Sequence, residues 1–283
     1  MKIGLRAHDF GRMKPCELAK TIKKAGFETA QLALTKAITG INSFADVDAS
    51  TLEQVRRAFD DNSIEIGVLG CYVEIGLPDR DARLQEVEKF FLGLEHAKEL
   101  GVKLVGTETT HFPPGLHAER EPAYQNLKDS VLRMVERAEK SGVNIGIEPV
   151  ADHTLNSSGL TRRLLDEVNS ERIMVIFDPV NLLLTQSDID NQDEIFTRFL
   201  EAAGPNIAAL HVKDIALEDG EKKWCNIGKG VIRYEPIFKW LKENKTDMPQ
   251  IPVLREHVDP ENFKADIEEM RRLAVNPEFN VQH

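Results

Sequence analysis

The sequence predicts a single (β/α)8 barrel, on three observations. Eight strand-like runs alternate with eight helix-like segments. No Ser/Gly-rich linker or low-complexity tract divides them. The dinucleotide fingerprint of the competing doubly wound sheet is missing after the first run, where the chain reads RAHDFGRMKP and not GxGxxG.

The strand runs are 2–7 (KIGLRA), 28–34 (ETAQLAL), 64–71 (IEIGVLGC), 102–107 (VKLVGT), 144–148 (NIGIE), 173–178 (IMVIFD), 207–212 (IAALHV) and 251–256 (IPVLRE). The sixth is apolar without alternation up to its final aspartate, the pattern of a strand covered on both faces. Helices are expected over roughly 15–25, 51–60, 80–100, 121–141, 158–169, 192–203, 234–244 and 261–274. Pro15 suits a first helical turn, where its missing N–H needs no partner. Gly26, Gly101 and Gly142 stand where a helix C-cap needs positive φ. Within 80–100, Leu84, Val87, Phe91, Leu94 and Ala97 follow the helical period. The barrel is therefore expected to span 1–283 as one domain, with its core at about 1–275 and a short irregular tail.

Composition narrows the function classes. A net charge of −11, without a basic block, argues against nucleic-acid binding. No apolar stretch is long enough to cross a bilayer, and the N-terminus is a poor signal peptide. Cys16, Cys71 and Cys225 are widely spaced and odd in number, which fits a reducing cytoplasm. The expectation is a cytoplasmic enzyme with a small-molecule substrate and neither nucleic-acid nor membrane partners; assembly into a homo-oligomer stays open.

The strand ends carry the chemistry. Glu148, Asp178, His211 and Glu256 close strands five to eight, which are neighbouring staves in a closed barrel. Four such side chains at one lip each cost desolvation unless paired or metal-bound. Three carboxylates and one imidazole suit a single divalent ion, Mn2+ first, with Zn2+, Co2+ or Mg2+ as alternatives. Such an ion polarises a substrate carbonyl or hydroxyl. Glu148 and Glu256, three staves apart, are placed to work as base and acid in proton transfer at carbon.

Other polar residues near the lip are candidates for gripping a small polyhydroxylated substrate: Arg6, His8, Glu108, His111, His153, Asn181 and Lys213. Lys213 and Asp214 have the alternative of pairing with each other. In NIGKGVIR, Gly228 and Gly230 expose backbone N–H groups beside Lys229 and Arg233, as in a phosphate loop, or else form a turn into the helix near Tyr234. Cys71 is expected to be a small buried residue. His257 is expected to point away from its neighbour Glu256.

IEPV, FDPVN, HVKD and REH, with GKGVIRYEPIFKWLKE between the last two, resemble the xylose-isomerase-like TIM-barrel superfamily of sugar and sugar-phosphate isomerases and epimerases. The resemblance covers nearly the whole chain. It implies that Glu148, Asp178, His211 and Glu256 hold the metal, and that Glu148 and Glu256 are the acid/base pair around an enediolate. Where related ketose 3-epimerases carry a histidine, an arginine and a glutamate, this chain has Asn181, Leu217 and Thr154. Inosose dehydratases share the four-ligand scheme, which makes a lyase the alternative to an isomerase. A non-catalytic sugar-binding barrel is the alternative of another class. Endonucleases of the superfamily use three zinc ions; of their extra ligands, one becomes Asn181 and the Asp-x-His becomes Trp224-Cys225-Asn226.

Overall fold

Eight parallel strands close on themselves in the order β1-β10-β7-β6-β5-β4-β3-β2, with β1 (Lys2–Arg6) bonded to β2 (Thr29–Leu32) on one side and to β10 (Pro252–Arg255) on the other. The structure is a computed structural model and describes residues 1–112, 119–218, 221–245, 247–256 and 263–276. His257 and the tail after 276 lie outside the described residues. Between β1 and β10 the chain runs through α1 (Pro15–Ala25), β2, α2 (Leu34–Ala37), α3 (Ala49–Asp61), β3 (Glu65–Gly70), α4 (Arg80–Leu100) and β4 (Leu104–Glu108). It continues with α5 (Arg120–Ser141), β5 (Asn144–Glu148), α6 (Ser158–Val168), β6 (Ile173–Phe177), α7 (Gln186–Asp190), α8 (Gln192–Ala203) and β7 (Ile207–Val212). A hairpin of β8 (Asp214–Glu218) and β9 (Glu221–Cys225) precedes α9 (Glu235–Asn244), and α10 (Phe263–Val275) follows β10.

The single (β/α)8 TIM barrel expected from the sequence is the observed fold. Beyond the eight expected strands and helices the described chain adds α2, α7 and the β8–β9 hairpin. The second strand stops at Leu32, because Leu34 already opens the short α2. The stretch after strand seven is not all loop, since β8 and β9 pair antiparallel.

The barrel interior is filled by an apolar layer of Val68, Leu104, Ile176, Ala209 and Leu254. Ile176 reaches across to β4 and β5, where Gly106 and Gly146 make room. A Cβ at Gly106 would lie 2.5 Å from Ile176 Cδ1, and one at Gly146 2.9 Å from Ile176 Cγ1. This layer is the floor under the site, because strand side chains alternate and the next inward residue lies two positions on.

Candidate metal centre

Counting two residues beyond the floor gives the site. Ile176 leads to Asp178, Ala209 to His211 and Leu254 to Glu256, while Gly106 and Gly146 lead to Glu108 and Glu148. The same count from Gly4 and Thr29 reaches Arg6 and Gln31. Glu108 and Glu148 are register partners on β4 and β5. The polar strand ends are thus one layer at the C-terminal mouth of the barrel.

Asp178 has two tasks, which explains why an apolar strand ends on a carboxylate. Its Oδ1 accepts from Val180 N at 2.9 Å and Asn181 N at 3.1 Å, closing the turn after β6. Its Oδ2 faces inward, paired with the Lys213 ammonium 2.7 Å away. His211 Nδ1 is buried without a hydrogen-bond partner. It lies 3.3 Å from Glu148 Oε2, 3.3 Å from Glu256 Oε1 and 3.9 Å from Asp178 Oδ2.

Glu148, Asp178 and His211 each offer a ligand atom within 4.8 Å of the others, and all three are buried. A buried imidazole nitrogen without a hydrogen bond, in a set of two carboxylates and an imidazole, fits a divalent cation. Glu256, the fourth expected ligand, stands outside this group. Its Oε1 is 3.6 Å from Arg6 Nη1 and its Oε2 accepts from Lys213 Nζ at 3.2 Å.

The electrostatics point the same way. Burial, opposed by Lys213 but reinforced by Glu256 and Glu148, raises the Asp178 pKa to about 6. Burial and the same two glutamates raise Glu108 to about 7. Burial opposes charge on His211, but Glu148 and Glu256 outweigh it and push its pKa up to about 9. A cluster that holds protons this tightly is short of positive charge, and a cation supplies it.

Gln31 sets the face that His211 presents. Its Nε2 donates to Tyr72 Oη at 2.7 Å, so its Oε1, 2.7 Å from His211 Nε2, accepts. The Nε2 proton is thereby fixed, and Nδ1 is turned to the carboxylates. We expect Gln31→Leu to weaken divalent-metal binding by about 10- to 100-fold, the usual effect of losing such an outer partner, as read by calorimetric titration of chelator-stripped protein. Unchanged affinity would remove Gln31 from this role.

The other sequence-derived candidates divide. Asn181 donates Nδ2–H to Glu148 Oε1 at 2.7 Å and accepts from Lys213 Nζ at 2.7 Å, bridging the two. Arg6 pairs with Asp9 at 2.8 Å as well as reaching Glu256. Burial opposes the Lys213 charge, but Asp178 and Glu256 outweigh it and hold its pKa above the ordinary lysine value. His8 packs edge-on to Tyr72, with ring centroids 6.4 Å apart. His153 bridges to His111 on the rim, each with an Nε2 3.8 Å from the Asp152 carboxylate. No contact joins His153 to the carboxylate cluster among the described residues. Thr154, where the epimerases have a glutamate, ties two loops by donating to Thr110 O at 3.1 Å. Cys71 is buried, as expected.

Two alternatives that the sequence left open are decided. Lys213 does not pair with Asp214: the Asp214 carboxylate accepts backbone N–H groups from Ile215, Gly228, Gly230 and Ile232 at 2.9–3.1 Å. The glycine N–H groups of NIGKGVIR are therefore spent on a carboxylate of the chain and do not form a phosphate loop. The sequence reading missed Gln31, Tyr72 and Lys36, whose ammonium lies 3.8 Å from the Tyr72 ring centroid. A polar Gln31 inside the buried run ETAQLAL was the available signal.

The signature of the xylose isomerase-like TIM barrel family matches residues 19–273. A probable endonuclease 4 of Campylobacter concisus is 25% identical over 213 residues, covering 71% of this chain and 72% of that protein. The 3-keto-D-glucoside 4-epimerase of E. coli superposes with a TM-score of 0.72 at 18% identity, covering 96% of this chain and 98% of that one. A D-tagatose 3-epimerase-like protein gives 0.74 at 17% identity, covering 97% and 98%. At these identities the two structures share the fold. No described helix is long and apolar enough to cross a membrane.

Proposed function

The chain belongs to the xylose isomerase-like TIM barrel family, and on that premise we propose that it is a divalent-metal-dependent isomerase or epimerase of a small polyhydroxylated ketone. The observation that carries this reading is the pair Glu148 and Glu256, each with a carboxylate oxygen 3.3 Å from the same His211 nitrogen. They flank one point from strands three staves apart, the placement needed to take a proton from a carbon and return one to it. A divalent ion held by Glu148, Asp178 and His211, beside Glu256, would polarise the substrate carbonyl and lower the cost of removing the neighbouring proton.

The chain's own groups do the rest. Asn181 holds one Glu148 oxygen and leaves the other towards the site. Lys213, kept charged by Asp178 and Glu256, holds Asn181 and Glu256 in place through its ammonium. Arg6 orients Glu256 from the neighbouring strand. With the glycine-loop amides held by Asp214, a free polyol is preferred to its phosphate.

The name of the Campylobacter relative raises an endonuclease reading, which we do not adopt. Asn181 stands where those enzymes carry a metal-binding histidine, and Trp224-Cys225-Asn226 replaces their Asp-x-His. A net charge of −11 also opposes a phosphate backbone.

Incubation of Mn2+-loaded protein in D2O with ketoses, ketose phosphates and inososes tests the reading by NMR and mass spectrometry. Deuterium in a product of unchanged formula is expected. Loss of water would make the protein a lyase instead, and binding without exchange or product would make it a sugar-binding barrel.

A further inference from the structure

The hairpin that sequence patterning passed over stands beside the site, against the loop after β6. It leaves β7 directly after Lys213 and is fixed at its base by the Asp214 carboxylate. Lys222 anchors it further, its Nζ donating to Leu183 O at 3.1 Å and Leu184 O at 2.9 Å in the loop after β6. Side chains two apart on a strand share a face, so Trp224 lies on the same face of the ribbon as Lys222. That face is turned to the site, since the Lys213 ammonium lies over the Trp224 ring, 5.5 Å from its centroid. Lys213 is itself buried and bonded to Asn181 and Glu256. Trp224 nevertheless keeps 50% of its surface exposed beside this buried cation.

We propose that Trp224 is a specificity-determining residue, a flat platform for the C–H face of a ring-shaped polyol whose oxygens turn to the carboxylates of the site; this rests on the sugar-enzyme reading above. A six-membered polyol ring presents a rigid apolar face that covers an indole without ordering any rotatable bond. An open-chain ketose has to freeze several torsions to offer the same surface, so a rigid ring loses less on binding. The platform therefore selects cyclitol- or pyranose-type ketones.

The chain has two tryptophans, which makes the test direct. Trp240, on α9, packs against Gly204, just ahead of β7 and so at the other end of the barrel. In a Trp240→Phe protein loaded with Mg2+, Trp224 is the sole indole emitter. Titration with myo-inositol and methyl β-D-glucopyranoside is expected to give a saturable change in its emission, at about ten-fold lower concentration than ribitol. In the otherwise native chain, Trp224→Ala is expected to weaken binding of these rings about ten-fold and Trp224→Phe much less, with Mg2+ affinity unchanged in both. Emission that ignores the rings, or responds equally to ribitol, overturns the proposal, as does a Trp224→Ala protein that binds rings normally. Turnover with solvent exchange in a protein whose Trp224 emission stays silent would overturn this inference alone. A ring-dependent emission change without turnover would overturn the isomerase reading alone.

Discussion

An Asp178→Asn protein is expected to fold normally and to lose divalent-metal binding. The substitution keeps an oxygen at the Oδ1 position, which accepts from Val180 N and Asn181 N and closes the turn after β6. It removes the charge at Oδ2, the inward oxygen paired with Lys213. His211→Ala removes the buried Nδ1 and releases Gln31. For both variants the loss of affinity is expected to exceed the roughly 10- to 100-fold typical of an outer-sphere change. Calorimetric titration with Mn2+, beside a circular-dichroism check of folding, reads it. Native affinity in both variants would place the ion elsewhere.

The second large effect belongs to Glu256. A Glu256→Gln protein is expected to turn over about 10²- to 10⁴-fold more slowly, the usual contribution of a positioned acid or base, while retaining most of its metal. The separation follows from geometry: Glu256 stands outside the close group of Glu148, Asp178 and His211, with its oxygens near Arg6 and Lys213. Glu148→Gln, inside that group, is expected to lose metal and turnover together. Steady-state kinetics with metal analysis on the same samples distinguishes the two variants. Equal metal loss in both would make Glu256 a full ligand, and undiminished turnover in Glu256→Gln would remove its acid/base role.

The barrel and the polar strand ends were legible because both follow from one periodicity. Apolar residues at 176, 209 and 254 fix which face of each strand points inward, and the site residue two positions on inherits that direction. What the sequence hid depends on contacts between distant segments. Gln31 looks like one more residue of a short strand until β2 brings it to His211, 180 positions away. Asp214 next to Lys213 reads as an ion pair, yet four backbone N–H groups satisfy it more fully. The hairpin did carry a local signal, Asp219-Gly220 between two short runs, which marks two-residue turns. It was masked because its strands are rich in charge, as befits a ribbon outside the barrel sheet.

A Mn2+-loaded crystal measured at the manganese absorption edge tests the central claim most directly. The account predicts one strong anomalous peak at the barrel mouth, about 2.0–2.3 Å from Glu148, Asp178 Oδ2 and His211 Nδ1. A peak at the rim beside His111 and His153, or none at full loading, would contradict it.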